Sequence, residues 1–249
     1  MEDILRVLVG LGLTSLLVML RLEAERFSAA EYDEPVRGRR PSLVRRLAWY
    51  ILGVGGVLAL LLVHPTPETD LHLQVGDRSG ILLAFLIGGL GVGQAVALAL
   101  LHYRRLRFPD IGAYPGALIN EILTAFIDEA VFRGAVLGYF LLATDNTNLA
   151  ILGQAVIYVL ATRLGAPGRD KYMLVVALLI GLVGGWATLV TGGIGASFLG
   201  HAITRVAIFL TTGHAGQPPA RGTEVEDVEK RRRMPEGWRA VDRSRQSDR

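Results

Sequence analysis

The stretch GILLAFLIGGLGVGQAVALALL, residues 80–101, carries one polar amide, Gln94, and no charge. A helix needs roughly 20 apolar residues to cross the hydrocarbon of a bilayer. This run is long enough, and its neighbours repeat the pattern. Apolar runs occupy Ile4–Leu20, Leu47–Val63, Gly80–Leu101, Gly116–Ala143, Leu149–Leu164, Tyr172–Val190 and Ile194–Thr212. The mean hydropathy of +0.40 and the 51% hydrophobic content exceed what a soluble domain of this size usually shows. The expectation is an all-α, polytopic membrane helix bundle of about seven transmembrane helices. The first run follows Glu2 and Asp3 and is followed by Arg21-Leu22-Glu23. A cleaved signal would want a basic lead and a small-residue cleavage site, so it reads as a retained helix.

The spans divide into three units: N-terminal helices and loops over 1–115, a core over 116–212, and a charged tail over 213–249. Gly165-Ala166-Pro167-Gly168 breaks the fifth run from the sixth. Thr191-Gly192-Gly193 predicts a tight hairpin between the sixth and seventh. Small residues four apart let helix backbones approach closely, so Gly89/Gly93 and Gly181/Gly185 are expected at packing faces. The tail mixes nine basic with seven acidic residues and cannot bury a core, which predicts disorder. Its Lys230-Arg231-Arg232-Arg233 run reads first as a solvated topology anchor and second as a contact for anionic lipid.

Basic residues alternate between connections. Residues 21–46 hold seven, 102–110 three, 163–171 three and the tail nine, whereas 64–79, 144–148 and 191–193 together hold only Arg78. The positive-inside rule then places the N-terminus outside and the C-terminus in the cytosol. The arginines lie in loops, not on one basic face, so nucleic acid is not an expected partner; the lipid bilayer is. Cysteine is absent, which removes disulfides, thiolate nucleophiles and thiolate metal ligands.

Ionisable groups inside a bilayer are costly, so each is a candidate site. Glu121, Asp128, Glu129 and Arg133 fall in the fourth run; His201 and Arg205 fall in the seventh. Glu129 and Arg133 are four apart and can pair on one helix face, which is also the plain structural reading. Asp128 has no local partner. It must find one on another helix, face water, or stay protonated. His201 and Arg205 repeat the spacing of four. His64, His72, His102 and His214 fall at loop edges, where exposure explains them. The sequence holds no His-Glu-x-x-His pair, no Gly-x-Ser-x-Gly elbow and no P-loop.

Asp128-Glu129-Ala130-Val131-Phe132-Arg133-Gly134 resembles the first motif of the CPBP intramembrane proteases, a family that includes the CAAX prenyl endopeptidases and bacteriocin-processing proteins. Tyr158-x-x-x-Thr162 stands where that family has Phe-x-x-x-His, and His201-x-x-x-Arg205 where it has His-x-x-x-Asn. The resemblance covers residues 116–212. It implies a peptide or prenylated-peptide substrate and a bacterial-type plasma membrane, with a site opening toward the cytosol. Asp128 would be the base, Glu129 and Arg133 its supporting pair, and His201 and Arg205 the oxyanion or water-binding groups. A divalent metal is possible by resemblance alone. The chain departs from the pattern at Asp128, one methylene short of glutamate, at Thr162 and at Arg205. The reading is therefore a divergent intramembrane endopeptidase of weak or no activity. A non-enzymatic binding module is the alternative, and a small transporter comes third because no internal repeat is evident.

Overall fold

A computed structural model describes residues 2–27, 29, 40–109, 111, 115–163 and 171–213. The 165–168 breaker, residues 214–249 of the tail and His214 lie outside the described residues. Seven helices account for the described chain: α1 (Glu2–Leu22), α2 (Arg40–Val63), α3 (Gly80–Tyr103), α4 (115–144), α5 (Thr147–Thr162), α6 (Tyr172–Thr191) and α7 (Gly195–Thr212). No strand occurs among the described residues. α1, residues 44–63 of α2, α3 and α6 are long and apolar enough to cross a membrane by length and composition. α5 has 16 residues, and α4 and α7 carry the ionisable groups. The chain is a multi-pass helical membrane protein. Leu62, Leu90 and Ile51 are more than two-thirds exposed on the outside of the bundle, as lipid-facing side chains are.

α4 is the centre. It begins as an α-helix over Pro115–Asp128, widens to a π-helix over Glu129–Val136 and returns to α over Leu137–Thr144. Every residue of the widened stretch is buried. π turns are rare, short and frequent at functional sites. Here the stretch begins at Glu129 and includes Arg133, so both face into the bundle from wider turns.

Four helices surround the widened stretch. α1 runs antiparallel to α4: the Tyr139 hydroxyl donates to the Val7 carbonyl at 3.2 Å, and Arg21 reaches Asp128. α5 brings Tyr158, whose ring lies edge-on to Phe132 at 5.2 Å. α6 brings Gly184, where an added Cβ would come within 3.1 Å of Arg133 Nε. α7 brings His201.

α3 and α7 run parallel and close. Gly80 faces Ala196, Gly88 faces Ile203, and the Thr211 hydroxyl donates to the Ala95 carbonyl at 3.2 Å. A Cβ on Gly88 would sit 2.8 Å from Ile203. The expectation for Gly89 and Gly93 is corrected here. Both are exposed with open space around them, and the packing face is Gly80, Ala84, Gly88, Gly91 and Ala95. A stripe at 3.6 residues per turn drifts from an exact repeat of four, so one pair of glycines does not fix the face. Gly181 and Gly185 do pack, against Ala155 and Gln154 of α5.

The hairpin at 191–193 is formed as expected, with Gly192 at φ +71°. The connection 64–79 folds down on it. Ile194 N–H donates to the Gln74 carbonyl at 2.9 Å, Gly195 N–H to Val75 at 3.1 Å, and Asp77 N–H to Thr191 at 2.9 Å. Leu71 and Leu73 are buried, and a Cβ on Gly134 would lie 2.6 Å from Leu73. This connection therefore covers one end of α4 and its neighbours.

His64, expected at an exposed loop edge, is only 1% exposed. Its ring packs edge-on to Tyr139 at 5.8 Å, and its Nδ1 accepts from Thr66 N–H at 3.2 Å. Loss of hydration lowers its pKa from the ordinary 6.5, more than the nearby Asp70 raises it. The folded chain therefore takes up a proton on His64 less readily than the unfolded chain does. The stability this contributes is present above pH 6.5 and is lost as the pH falls below it. Thermal melts from pH 7.5 to 5 should show a smaller acid loss for His64→Phe than for the native chain. Equal losses would place the acid sensitivity elsewhere.

Candidate active site: an intramembrane ion-pair cluster

The elements above bring the ionisable residues of α1, α4 and α7 to one place. Glu129 is fully buried, and its Oε1 lies 2.7 Å from His201 Nδ1 and 3.3 Å from Arg133 Nη1. The tautomer with hydrogen on Nδ1 satisfies this contact. His201 Nε2 is then free to accept from the Tyr158 hydroxyl, 3.5 Å away. Arg133 is also fully buried, with its guanidinium 4.0 Å from the centre of the Tyr158 ring. A cation over an aromatic face gains of order 1–2 kcal/mol when desolvated. Glu129 Oε2 and the three guanidinium nitrogens of Arg133 have no hydrogen-bond partner. Gly184 leaves room beside them: a side chain there would lie 3.6 Å from Glu129 Oε2.

Asp128 occupies the next position and faces another way. Arg21 Nε donates to its Oδ1 at 2.5 Å, and Arg21 Nη2 donates to its Oδ2 at 3.3 Å. Arg205 Nη1 lies 4.0 Å from the same Oδ2. Arg205 in turn places Nε 2.9 Å from Glu121 Oε2, and Glu121 Oε1 accepts from the Asn120 amide at 2.9 Å. Asn120 Oδ1 accepts from Tyr50 of α2. Three carboxylates, Glu121, Asp128 and Glu129, thus meet three guanidiniums, those of Arg21, Arg133 and Arg205. Only Arg205, 14% exposed, shows noticeable surface. A buried charge is tolerated when it is paired, and each of these carboxylates has a guanidinium partner.

The five candidate residues, Asp128, Glu129, Arg133, His201 and Arg205, therefore lie together, in two linked groups. The Thr162 hydroxyl donates back to the carbonyls of Tyr158 at 2.8 Å and Val159 at 3.2 Å. One turn earlier, Tyr158 touches both Arg133 and His201. The sequence offered Tyr158 only as a motif position, and it offered Arg21 only as the basic flank of the first span. Arg21 and Asp128 are 107 residues apart, so no local spacing could have joined them.

The donors present do not fit a divalent metal. Asp128 is taken by one guanidinium and faced by a second, and Glu129 Oε1 is shared between an imidazole and a guanidinium. Among the described residues no group of three or more His, Asp or Glu side chains could hold a metal ion. A cation would have to displace arginines at these distances, and like charges repel.

What the fold and cluster define is a polytopic helical membrane protein with a buried carboxylate–imidazole–guanidinium site on its central helix. A family model matches part of the chain. Residues 110–207 match the family described as type II CAAX prenyl endopeptidase, Rce1-like, and so carry a domain of the CAAX protease family. No curated protein and no solved structure matches the chain. The matched segment runs from the start of α4 into α7 and includes Asp128, Glu129, Arg133, Tyr158, His201 and Arg205; Arg21 lies outside it.

Proposed function

We propose that the chain is a divergent CAAX-type intramembrane endopeptidase that takes a peptide at the membrane and hydrolyses it weakly or not at all. The observation carrying this reading is the state of Asp128. It stands where the family resemblance puts the base, and both its oxygens are held by Arg21. A carboxylate in a two-point charge-assisted contact is a poor proton acceptor, because its pair must break first. Thr162 cannot replace it, since a hydroxyl does not titrate in the useful range. Residues 116–212 form the functional core in this reading, flanked by 1–115 and the 213–249 tail.

A second reading has one observation in its favour. Glu129 and His201 form a 2.7 Å pair, and Glu129 Oε2 is unpartnered, so an attacking water has a group to meet. In that case Glu129 takes one proton of the water and passes it to the leaving amine as the C–N bond breaks, His201 Nδ1–H holds the Glu129 carboxylate in place, and Arg133 stabilises the carbonyl oxygen as it becomes negative.

The test is purified protein in liposomes with prenylated and unprenylated peptides, read by mass spectrometry. Weak or no cleavage by the native chain is expected, and Thr162→His should raise any cleavage. Robust native turnover that persists in Asp128→Asn and disappears in Glu129→Gln establishes the second reading. Robust native turnover lost in Asp128→Asn overturns the first, because Asp128 then works as a base.

The membrane is a bacterial-type plasma membrane in this reading, with the N-terminus outside. The basic connections at 21–46, 102–110 and 163–171 support the orientation. A cysteine placed at Pro67 should react with an impermeant maleimide from outside, and one at Gly38 should not. The reverse pattern inverts the topology.

A further inference from the structure

Arg21 sits on α1, outside the family segment, yet it makes the shortest ion-pair contact in the cluster, 2.5 Å to Asp128. We propose that Arg21 is a positioning residue of the site: α1 closes the site by clamping Asp128 as an ionised counter-ion and thereby withholds it from proton transfer. The clamp concerns the same site as the proposed function, but its readouts need no peptide hydrolysis, so either can fail alone.

Four observations carry it. The contact is two-pointed, with Nε on Oδ1 and Nη2 on Oδ2, the fork geometry in which a guanidinium fixes a carboxylate's orientation as well as its charge. Both side chains are buried, 7% and 0% exposed, so water does not compete. The end of α1 is anchored independently, because Trp49 of α2 donates its indole N–H to the Leu20 carbonyl at 3.0 Å. Finally, the other carboxylates have partners of their own: Glu121 keeps Arg205, and Glu129 keeps Arg133 and His201.

Removing the charge of Arg21 takes from Asp128 the guanidinium that donates to both of its oxygens. A buried charge without a partner neutralises by taking a proton. The groups facing Asp128 are then Arg205 of α7, 4.0 Å away and already committed to Glu121, and Tyr158 of α5. Asp128 is the carboxylate that loses most, so it is the one that protonates.

Dicyclohexylcarbodiimide enters through lipid and reacts with protonated carboxyl groups, leaving ionised ones. The full chain in detergent at pH 7.5 is treated with it, digested and mapped by mass spectrometry. The native chain should incorporate little at Asp128, Arg21→Gln at least tenfold more, and Arg21→Lys an amount near native, because the lysine restores the charge. Equal labelling of Asp128 in native and Arg21→Gln protein overturns the clamp, as does labelling that moves to Glu121 or Glu129 instead. Should Arg21→Gln not fold, the pair is removed together. Arg21→Gln with Asp128→Asn should give monodisperse protein that melts no lower than Asp128→Asn alone. Failure of that double variant to fold shows that Arg21 serves the fold independently of Asp128 and sinks the proposal.

Discussion

Glu129→Ala should lower the stability of the protein by about 3–5 kcal/mol, the range for breaking one partner out of a buried ion pair. The reason is what it leaves behind. Arg133 is fully buried, its nitrogens have no hydrogen-bond partner, and the nearest opposite charge is Glu129 Oε1 at 3.3 Å. His201 loses the acceptor of its 2.7 Å contact in the same change. The measurement is thermal unfolding in detergent, with accumulation in membranes as a second readout. Glu129→Ala combined with Arg133→Met should recover most of the loss, because it removes both charges and keeps the volume under Tyr158. An unchanged melting profile in the single variant would mean that water solvates the arginine.

Gly138→Val should cost about 1–3 kcal/mol, the range for overfilling a packed interior. Here the obstacle is backbone. A Cβ at residue 138 would strike the Asp70 carbonyl and come within 2.9 Å of Leu71 Cα. The connection 64–79 would have to lift, and it is tied at the other end to 191–195. The expected result is a lower melting temperature together with new protease cuts within 64–79. A variant that melts like the native chain with no new cuts would show that this connection does not rest on α4.

The helices were readable because a bilayer demands long apolar runs: each of the seven runs became a helix, six of them within two residues at both ends, while α2 starts at Arg40, seven residues before the apolar run does. The residues of the cluster were readable for the complementary reason: charge inside a hydrophobic run has to be explained. Glu129 with Arg133 was open to the spacing rule. The partner of Asp128 was not, because helix-to-helix pairing depends on which faces meet, and that information is spread over packing faces such as Gly53 against Ile127 and Gly56 against Leu17. The same limit explains Gly89 and Gly93, which have the spacing of a packing motif but lie on the outer face of α3. The widening of α4 left no trace in residue type. His64 was misplaced because a position just after an apolar run looks like a loop edge, whereas the 64–79 connection folds back and buries it.

The charge pairing of the cluster also bears on the order in which the chain is made. α4 carries Glu121, Asp128, Glu129 and Arg133, and a charge at the centre of a bilayer costs about 2.5–3.5 kcal/mol per residue on the insertion scale. Only the Glu129–Arg133 pair lies within α4 itself. α1 emerges first, so Arg21 is already at hand when Asp128 arrives. Arg205 is synthesised 84 residues after Glu121 and closes the last pair only when α7 enters. A nascent chain halted before α7 would therefore hold Glu121 without its Arg205 partner, as an outstanding debt to the lipid, and α3, which packs along α7, would still lack its own partner.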